Sequence, residues 1–185
     1  TVKGKRIRFR GDWRNSSGNF RDLFSGTFAD GNDVTMSGGF DFSGAPASRM
    51  FYTTFAGCGN LTGSIPSGLF GNLSGAPASR MFYATFHSCG NLTGSIPSGL
   101  FGNLSGAPAS AMFYYTFYSC GNLTGSIPSG LFGNISGAPV DYMFNGTFRD
   151  CSNLTGESAL MPDGVTHLYE RFQTASGTEC DNCYL

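Results

Sequence analysis

Residues Ser43 to Leu73 read SGAPASRMFYTTFAGCGNLTGSIPSGLFGNL, and the next segment, Ser74 to Leu104, repeats them at 28 of 31 positions. Ser105 to Ile135 matches the second copy at 27 of 31, and a fourth copy starts at Ser136 and decays after Gly156. Cys58, Cys89, Cys120 and Cys151 mark the period of 31. A fixed period of this length is the signature of units that stack on one another. One unit offers Met50, Phe51, Phe55, Leu61, Ile65, Leu69, Phe70 and Leu73 for burial, too little to offset the entropy of ordering its own backbone. Neighbouring copies must supply the rest.

Each copy divides into three parts. Leu61-Thr62-Gly63-Ser64-Ile65 alternates and ends at Pro66, which predicts a short strand. Ser67 to Phe70 reads as a tight helical turn. Ala45 to Ala56 reads as a helix with Pro46 in its first turn and Gly57 past its end. Its predicted core face is Met50, Phe51, Thr54, Phe55 and Cys58, at the spacing i, i+1, i+4, i+5, i+8. The opposite face is then Arg49, Tyr52, Thr53, Ala56 and Gly57. The segment Gly71 to Gly75 carries no element in this reading.

The ends carry degraded copies. Leu23 to Asn32 echoes MFYTTFAGCGN, with Gly31 in the Cys position, and Cys180-Asp181-Asn182-Cys183 echoes CGNL. The predicted organisation is a basic cap strand over 1–19 and a repeat region over 20–185. Regular copies occupy 43–73, 74–104, 105–135 and 136–166, and degraded ones 20–42 and 167–185. That makes about five to six turns.

CGNLTGSIP is similar to the C-x-x-L-T-x-I-x-I-P segment of bacterial BspA-like surface leucine-rich repeats, and MFxxTFxxC resembles the half of those repeats that runs from helix to Cys. LTGSIP also resembles plant extracellular leucine-rich repeats. The period of 31 is longer than is usual for the family, with the surplus in FGNLSGAPAS. The resemblance implies an α/β, leucine-rich-repeat-like solenoid with one parallel β-sheet and helices on the opposite face. It also implies a non-catalytic interaction role, extracellular or at a bacterial cell surface.

Composition narrows the function. The chain has 185 residues, with 12% charged, 15% aromatic, a net charge of -1 and only two His. It lacks the basic surface that nucleic acid requires. No apolar run has the length of a membrane span, and no leader segment is visible. Acids are absent from 42 to 140, so the regular copies hold no carboxylate pair. His87 shares its column with Ala56, Tyr118 and Arg149, which marks an outward position rather than a catalytic base. No enzyme, cofactor or metal site is expected. The Cys column lies at a repeat spacing of about 4.8 Å, within disulfide reach. Its simpler reading is a ladder of buried thiols, and Gly31 in the same column favours packing. Cys180-x-x-Cys183 has only His167 nearby, too few ligands for zinc, and reads as structural or as a terminal disulfide.

Differences between copies cluster in four columns: Arg49/Arg80/Ala111, Thr53/Ala84/Tyr115, Ala56/His87/Tyr118 and Gly57/Ser88/Ser119. The fourth copy adds Tyr142, Gly146, Arg149 and Asp150. Relaxed constraint on a surface would produce this pattern. A contact face would produce it too, and Arg and Tyr are the residues that anchor interfaces. The candidate partner-binding residues are therefore Arg49, Thr53, Arg80, His87, Tyr115, Tyr118, Tyr142 and Arg149, toward another protein or a cell surface.

Charge asymmetry supplies an alternative. Residues 1–14 carry net +5 and residues 141–185 net -5. Those charges guard open sheet ends, or they direct head-to-tail association into an extracellular fibre through Arg6, Arg8 and Arg10 against Glu170, Glu179 and Asp181. A third reading is ice binding by the outward columns Thr62/Thr93/Thr124/Thr155 and Ser64/Ser95/Ser126, which are equally the plain solvent face of a strand. Nine Asn-x-Ser/Thr sequons, among them Asn60, Asn91, Asn122 and Asn153, follow from the repeat and suit turns. Arg10-Gly11-Asp12 resembles an integrin-recognition tripeptide of the kind that arises by chance.

Overall fold

A computed structural model of the chain describes residues 20–25, 34–36, 43–70, 72–138 and 140–155. Its strands are short: β1 (Val34–Thr35), β2 (Ser43–Gly44), β3 (Leu61–Thr62), β4 (Asn72–Gly75), β5 (Asn103–Gly106), β6 (Gly125–Ser126), β7 (Asn134–Ile135) and β8 (Leu154–Thr155). All pairing is parallel, in three small sheets ordered β1-β3, β2-β4-β5-β7 and β6-β8. Single bridges Gly63↔Leu92 and Gly94↔Leu123 continue the Leu-Thr-Gly pairing from copy to copy.

The expected leucine-rich-repeat-like solenoid, with one parallel sheet and helices opposite it, is not what the structure shows. There is no single sheet, and no helix occurs among the described residues. The predicted helix over Ala45 to Ala56 is instead a run of overlapping tight turns. Within it, the amides of Met50, Tyr52, Thr54, Ala56 and Cys58 each donate to the carbonyl three residues back. The intervening amides of Arg49, Phe51, Thr53, Phe55 and Gly57 donate to Ser79, Met81, Tyr83, Thr85 and His87 of the next copy, at 2.8–3.0 Å. Every fourth residue is left-handed: Arg49, Thr53 and Gly57, then Arg80, Ala84 and Ser88, then Ala111, Tyr115 and Ser119, and finally Tyr142, Gly146 and Asp150.

Thickness explains the correction. A helix with its side chains is about 10–12 Å across, whereas copies joined by backbone hydrogen bonds lie about 4.8 Å apart. Only a segment one chain thick stacks at that spacing. Stacking gains long aromatic columns. Phe20, Phe51, Phe82, Phe113 and Phe144 stack nearly parallel with centroids 5.2–5.6 Å apart. Phe24, Phe55, Phe86, Phe117 and Phe148 do so at 5.4–5.5 Å. Phe70, Phe101 and Phe132 form a third column, meeting the first at 4.5–4.6 Å with steeply tilted rings. Offset-stacked and edge contacts of this kind stabilise beyond the area they bury.

The predicted inner face is the observed one. Met50, Phe51, Thr54, Phe55 and Cys58 and their copies are buried. The buried polar atoms are satisfied across copies. Thr85, Thr116 and Thr147 hydroxyls donate to the carbonyls of Phe51, Phe82 and Phe113 at 2.9–3.0 Å. Cys89, Cys120 and Cys151 thiols donate to Phe55, Phe86 and Phe117 at 2.9–3.0 Å. All four described cysteines are buried, and Cys89, Cys120 and Cys151 are free thiols. Outside the core, Asn91, Asn122 and Asn153 amides reach the carbonyls of Gly59, Gly90 and Gly121 in the preceding copy. Those sequon asparagines thus join copies rather than serving only a local turn.

Two further expectations change. The segment read as featureless surplus forms β4, β5 and β7, most of the largest sheet, with Leu73, Leu104 and Ile135 buried. Its backbones pass closely. A β-carbon at Gly102 would collide with the Leu73 carbonyl, and one at Gly133 with that of Leu104. The register of the first copy also differs. Phe20 and Phe24 occupy the columns of Phe51 and Phe55, and Cys58 donates to the Phe24 carbonyl as Cys89 does to Phe55. Further on, Val34 pairs with Leu61, and Gly31, read in the Cys position, lies outside the described residues.

Candidate functional site

The run of turns buries two residues and turns the next two outward, most of them half-buried. Its outward columns are therefore those of Arg49, Tyr52, Thr53 and Ala56, and a side chain in one copy lies beside its counterpart in the next. Three of the four variable columns coincide with the left-handed positions.

On this face the rings assemble into one surface. Tyr52 and Tyr83 stack at 4.6 Å and 8°, and Tyr83 and Tyr114 at 4.8 Å and 11°. Tyr114 meets Tyr115 at 4.1 Å, and Tyr115 meets Tyr118 at 5.0 Å. His87 stacks on Tyr118 at 4.9 Å and 6°, with Ser88 Oγ 2.9 Å from its Nδ1. Tyr142 adds an edge contact to Tyr114 at 6.1 Å and is 47% exposed. Guanidinium groups flank the array, Arg21 over Tyr52 at 4.9 Å and Arg149 over Tyr118 at 5.8 Å, a cation–π arrangement.

Of the candidate residues, His87, Tyr115, Tyr118 and Arg149 come together, and Tyr142 joins them through Tyr114. Thr53 is half-buried, and its hydroxyl donates to the Asp22 carboxylate. Arg49 and Arg80 are exposed neighbours in one column. Arg6, Arg8, Arg10, Glu170, Glu179 and Asp181 lie outside the described residues, as do Cys180, Cys183 and His167. The Tyr52, Tyr83 and Tyr114 column was missed as a site. Its signal is an aromatic kept at an outward position in three successive copies. Arg21 falls in the Tyr52 column because Phe20 and Phe24 stand in the columns of Phe51 and Phe55, a placement the Leu23 to Asn32 echo does not give.

The face is a set of donors. Burial, with the nearby Tyr52 and Tyr115 phenols, raises the Tyr83 pKa, against the lowering effect of the Arg80 charge. Burial and a hydrogen bond with Tyr115 raise that of Tyr114. Both phenols hold their protons at neutral pH. Burial lowers the His87 pKa, opposed by a backbone hydrogen bond, so the neutral ring is favoured. Among the described residues no three His, Cys, Asp or Glu gather as a metal site, and no helix is long and apolar enough to cross a membrane. On the strand side Thr93, Thr124, Thr155, Ser64, Ser95 and Ser126 are exposed and Thr62 half-buried. No family model, curated protein or solved structure matches this chain.

Proposed function

We propose that the protein is a non-catalytic interaction and adhesion scaffold, extracellular or on a bacterial cell surface, whose contact face is the outward side of the turn segment. The observation that carries this reading is the joined array of Tyr52, Tyr83, Tyr114, Tyr115, Tyr118 and His87 between two guanidinium groups. Tyr and Arg in a rigid framework bind at low entropic cost. The test is adhesion of the labelled chain to whole cells and to immobilised extracellular matrix. Tyr115→Ala combined with Tyr118→Ala abolishes adhesion while the circular dichroism spectrum stays unchanged. Undiminished adhesion by the double variant refutes the reading.

Head-to-tail association into a fibre is the second reading. The alternate amides that run from one copy to the next favour it, because an outermost copy is complementary to another like itself. Light scattering over concentration and salt tests it. Assemblies that loosen with salt support it, and monomers under all conditions remove it.

A further inference from the structure

Between residues 42 and 140 the chain has no carboxylate side chain and, apart from His87, only two basic side chains, Arg49 and Arg80. The fold places those two in one column, on adjacent copies, both exposed. Neither has a carboxylate partner among the described residues, where the one ion pair is Arg21 with Asp22. Two like charges held side by side repel, and an anion bound between them removes that repulsion. The guanidinium fork is suited to carboxylate and sulfate oxygens.

The Tyr52, Tyr83 and Tyr114 row runs parallel to this column. Its rings stack on one another, so their faces are largely taken, and a ligand meets edges and phenol hydroxyls. Among the described residues Tyr142 is the one large hydrophobic side chain that is exposed. The strip therefore presents charge and hydroxyl donors rather than exposed apolar side chains. Its period is the ring spacing, 4.6–4.8 Å. An extended peptide repeats on one side only every ~6.7 Å, out of step with that period. An acidic polysaccharide carries its anionic groups at several positions around each ring and is not tied to one such repeat.

We propose that the Arg49 and Arg80 column and the Tyr52, Tyr83 and Tyr114 row together bind an acidic polysaccharide, laid across the copies with its carboxylates or sulfates on the guanidinium groups. This rests on the outward turn face being the binding face, and it names the class of partner.

The probes are heparin (sulfate-bearing), alginate (carboxylate only), neutral dextran and polyglutamate, each titrated by calorimetry into the full chain. Arg49→Gln with Arg80→Gln removes the column. Arg6→Gln with Arg8→Gln and Arg10→Gln controls for the basic N-terminal segment. The expected result is binding of heparin or alginate and not of dextran, with polyglutamate weaker. The Arg49/Arg80 variant loses about tenfold or more in affinity, as expected for two charge-assisted contacts, and the N-terminal variant loses less. Heparin against alginate separates sulfate from carboxylate recognition. Absence of polysaccharide binding, preference for polyglutamate, or an Arg49/Arg80 variant that binds like the parent overturns the proposal. Whole-cell adhesion separates the two readings. If Tyr115→Ala with Tyr118→Ala loses adhesion while the Arg49/Arg80 variant keeps it, the face stands and the polysaccharide falls. If both variants adhere normally, both fall.

Discussion

The ring of Tyr115 lies over the α-carbon of Gly146, one copy further on, in the space a β-carbon would fill. Gly146 also sits in a left-handed conformation, with φ of 59°. The glycine is thus what allows Tyr115 to lie against the turn segment beside Tyr114 and Tyr118. Gly146→Ala is expected to destabilise the protein by about 1–3 kcal/mol, from overpacking and from the left-handed backbone. Urea unfolding checks this. In a Tyr115→Ala background the overpacking part disappears, so the double-mutant cycle returns a coupling of about 0.5–2 kcal/mol. Additive effects refute the contact.

Arg80 is exposed with φ of 54°. A helical residue replaced by glycine loses about 1 kcal/mol. A left-handed one is relieved of strain of about 1–2 kcal/mol, less the added freedom of the unfolded chain. Arg80→Gly is therefore expected to leave stability unchanged or raise it by up to about 1 kcal/mol. Thermal unfolding of this variant discriminates the run of turns from a helix.

Burial of the thiols sets the alkaline limit. Burial raises the Cys120 pKa and pushes that of Cys151 up to about 11, while the Cys89 thiol is raised by its hydrogen bond to Cys58 together with burial. An unfolded thiol ionises near pH 8.5. The unfolded state therefore releases its proton first, and stability present below that pH is lost as pH rises toward about 11. Tyr83 and Tyr114 act in the same direction at still higher pH. Urea midpoints between pH 7 and 11 should fall, and Cys151→Ala, though less stable at pH 7, should show a shallower fall.

His87 sets a milder limit on the acid side. Burial lowers its pKa in the folded chain, so the unfolded state takes up the proton first as pH falls. Its contribution is present above about pH 6.5 and is lost as pH falls through the folded value. His87→Ala, which places the residue found at Ala56, should remove this dependence below about pH 6.5. An unchanged pH profile in the variant shows that another group is responsible.

Thr116 Oγ1 donates across copies to the Phe82 carbonyl at 2.9 Å. That carbonyl also accepts the Thr85 amide, so Thr116→Val leaves no orphaned acceptor. The expected cost is about 0.5–1.5 kcal/mol, measured by urea unfolding. A loss several times larger implies that the hydroxyl has a further role.

Much of the candidate site could be read in advance because inside and outside are set by side-chain chemistry. Met50, Phe51, Thr54, Phe55 and Cys58 are buried as expected, and Arg49, Tyr115, Tyr118 and Arg149 face outward. The pairwise contacts were not readable. That Tyr115 needs Gly146, or that His87 lies on Tyr118, depends on side chains a full copy apart in sequence.

What the amino-acid sequence determined by itself is the period, the parallel stacking of equivalent residues and the division of each copy into inner and outer positions. These follow from hydrophobicity and self-similarity, which are local. The tertiary structure decided the backbone that carries them. The spacing i, i+1, i+4, i+5, i+8 suits a helix of 3.6 residues per turn and a ribbon of four equally well over so short a stretch. The choice between them rests on where the amides of Arg49, Phe51, Thr53 and Phe55 donate. They donate to the next copy, because a layer one chain thick lets every phenylalanine column, threonine and thiol meet its counterpart at a single repeat spacing.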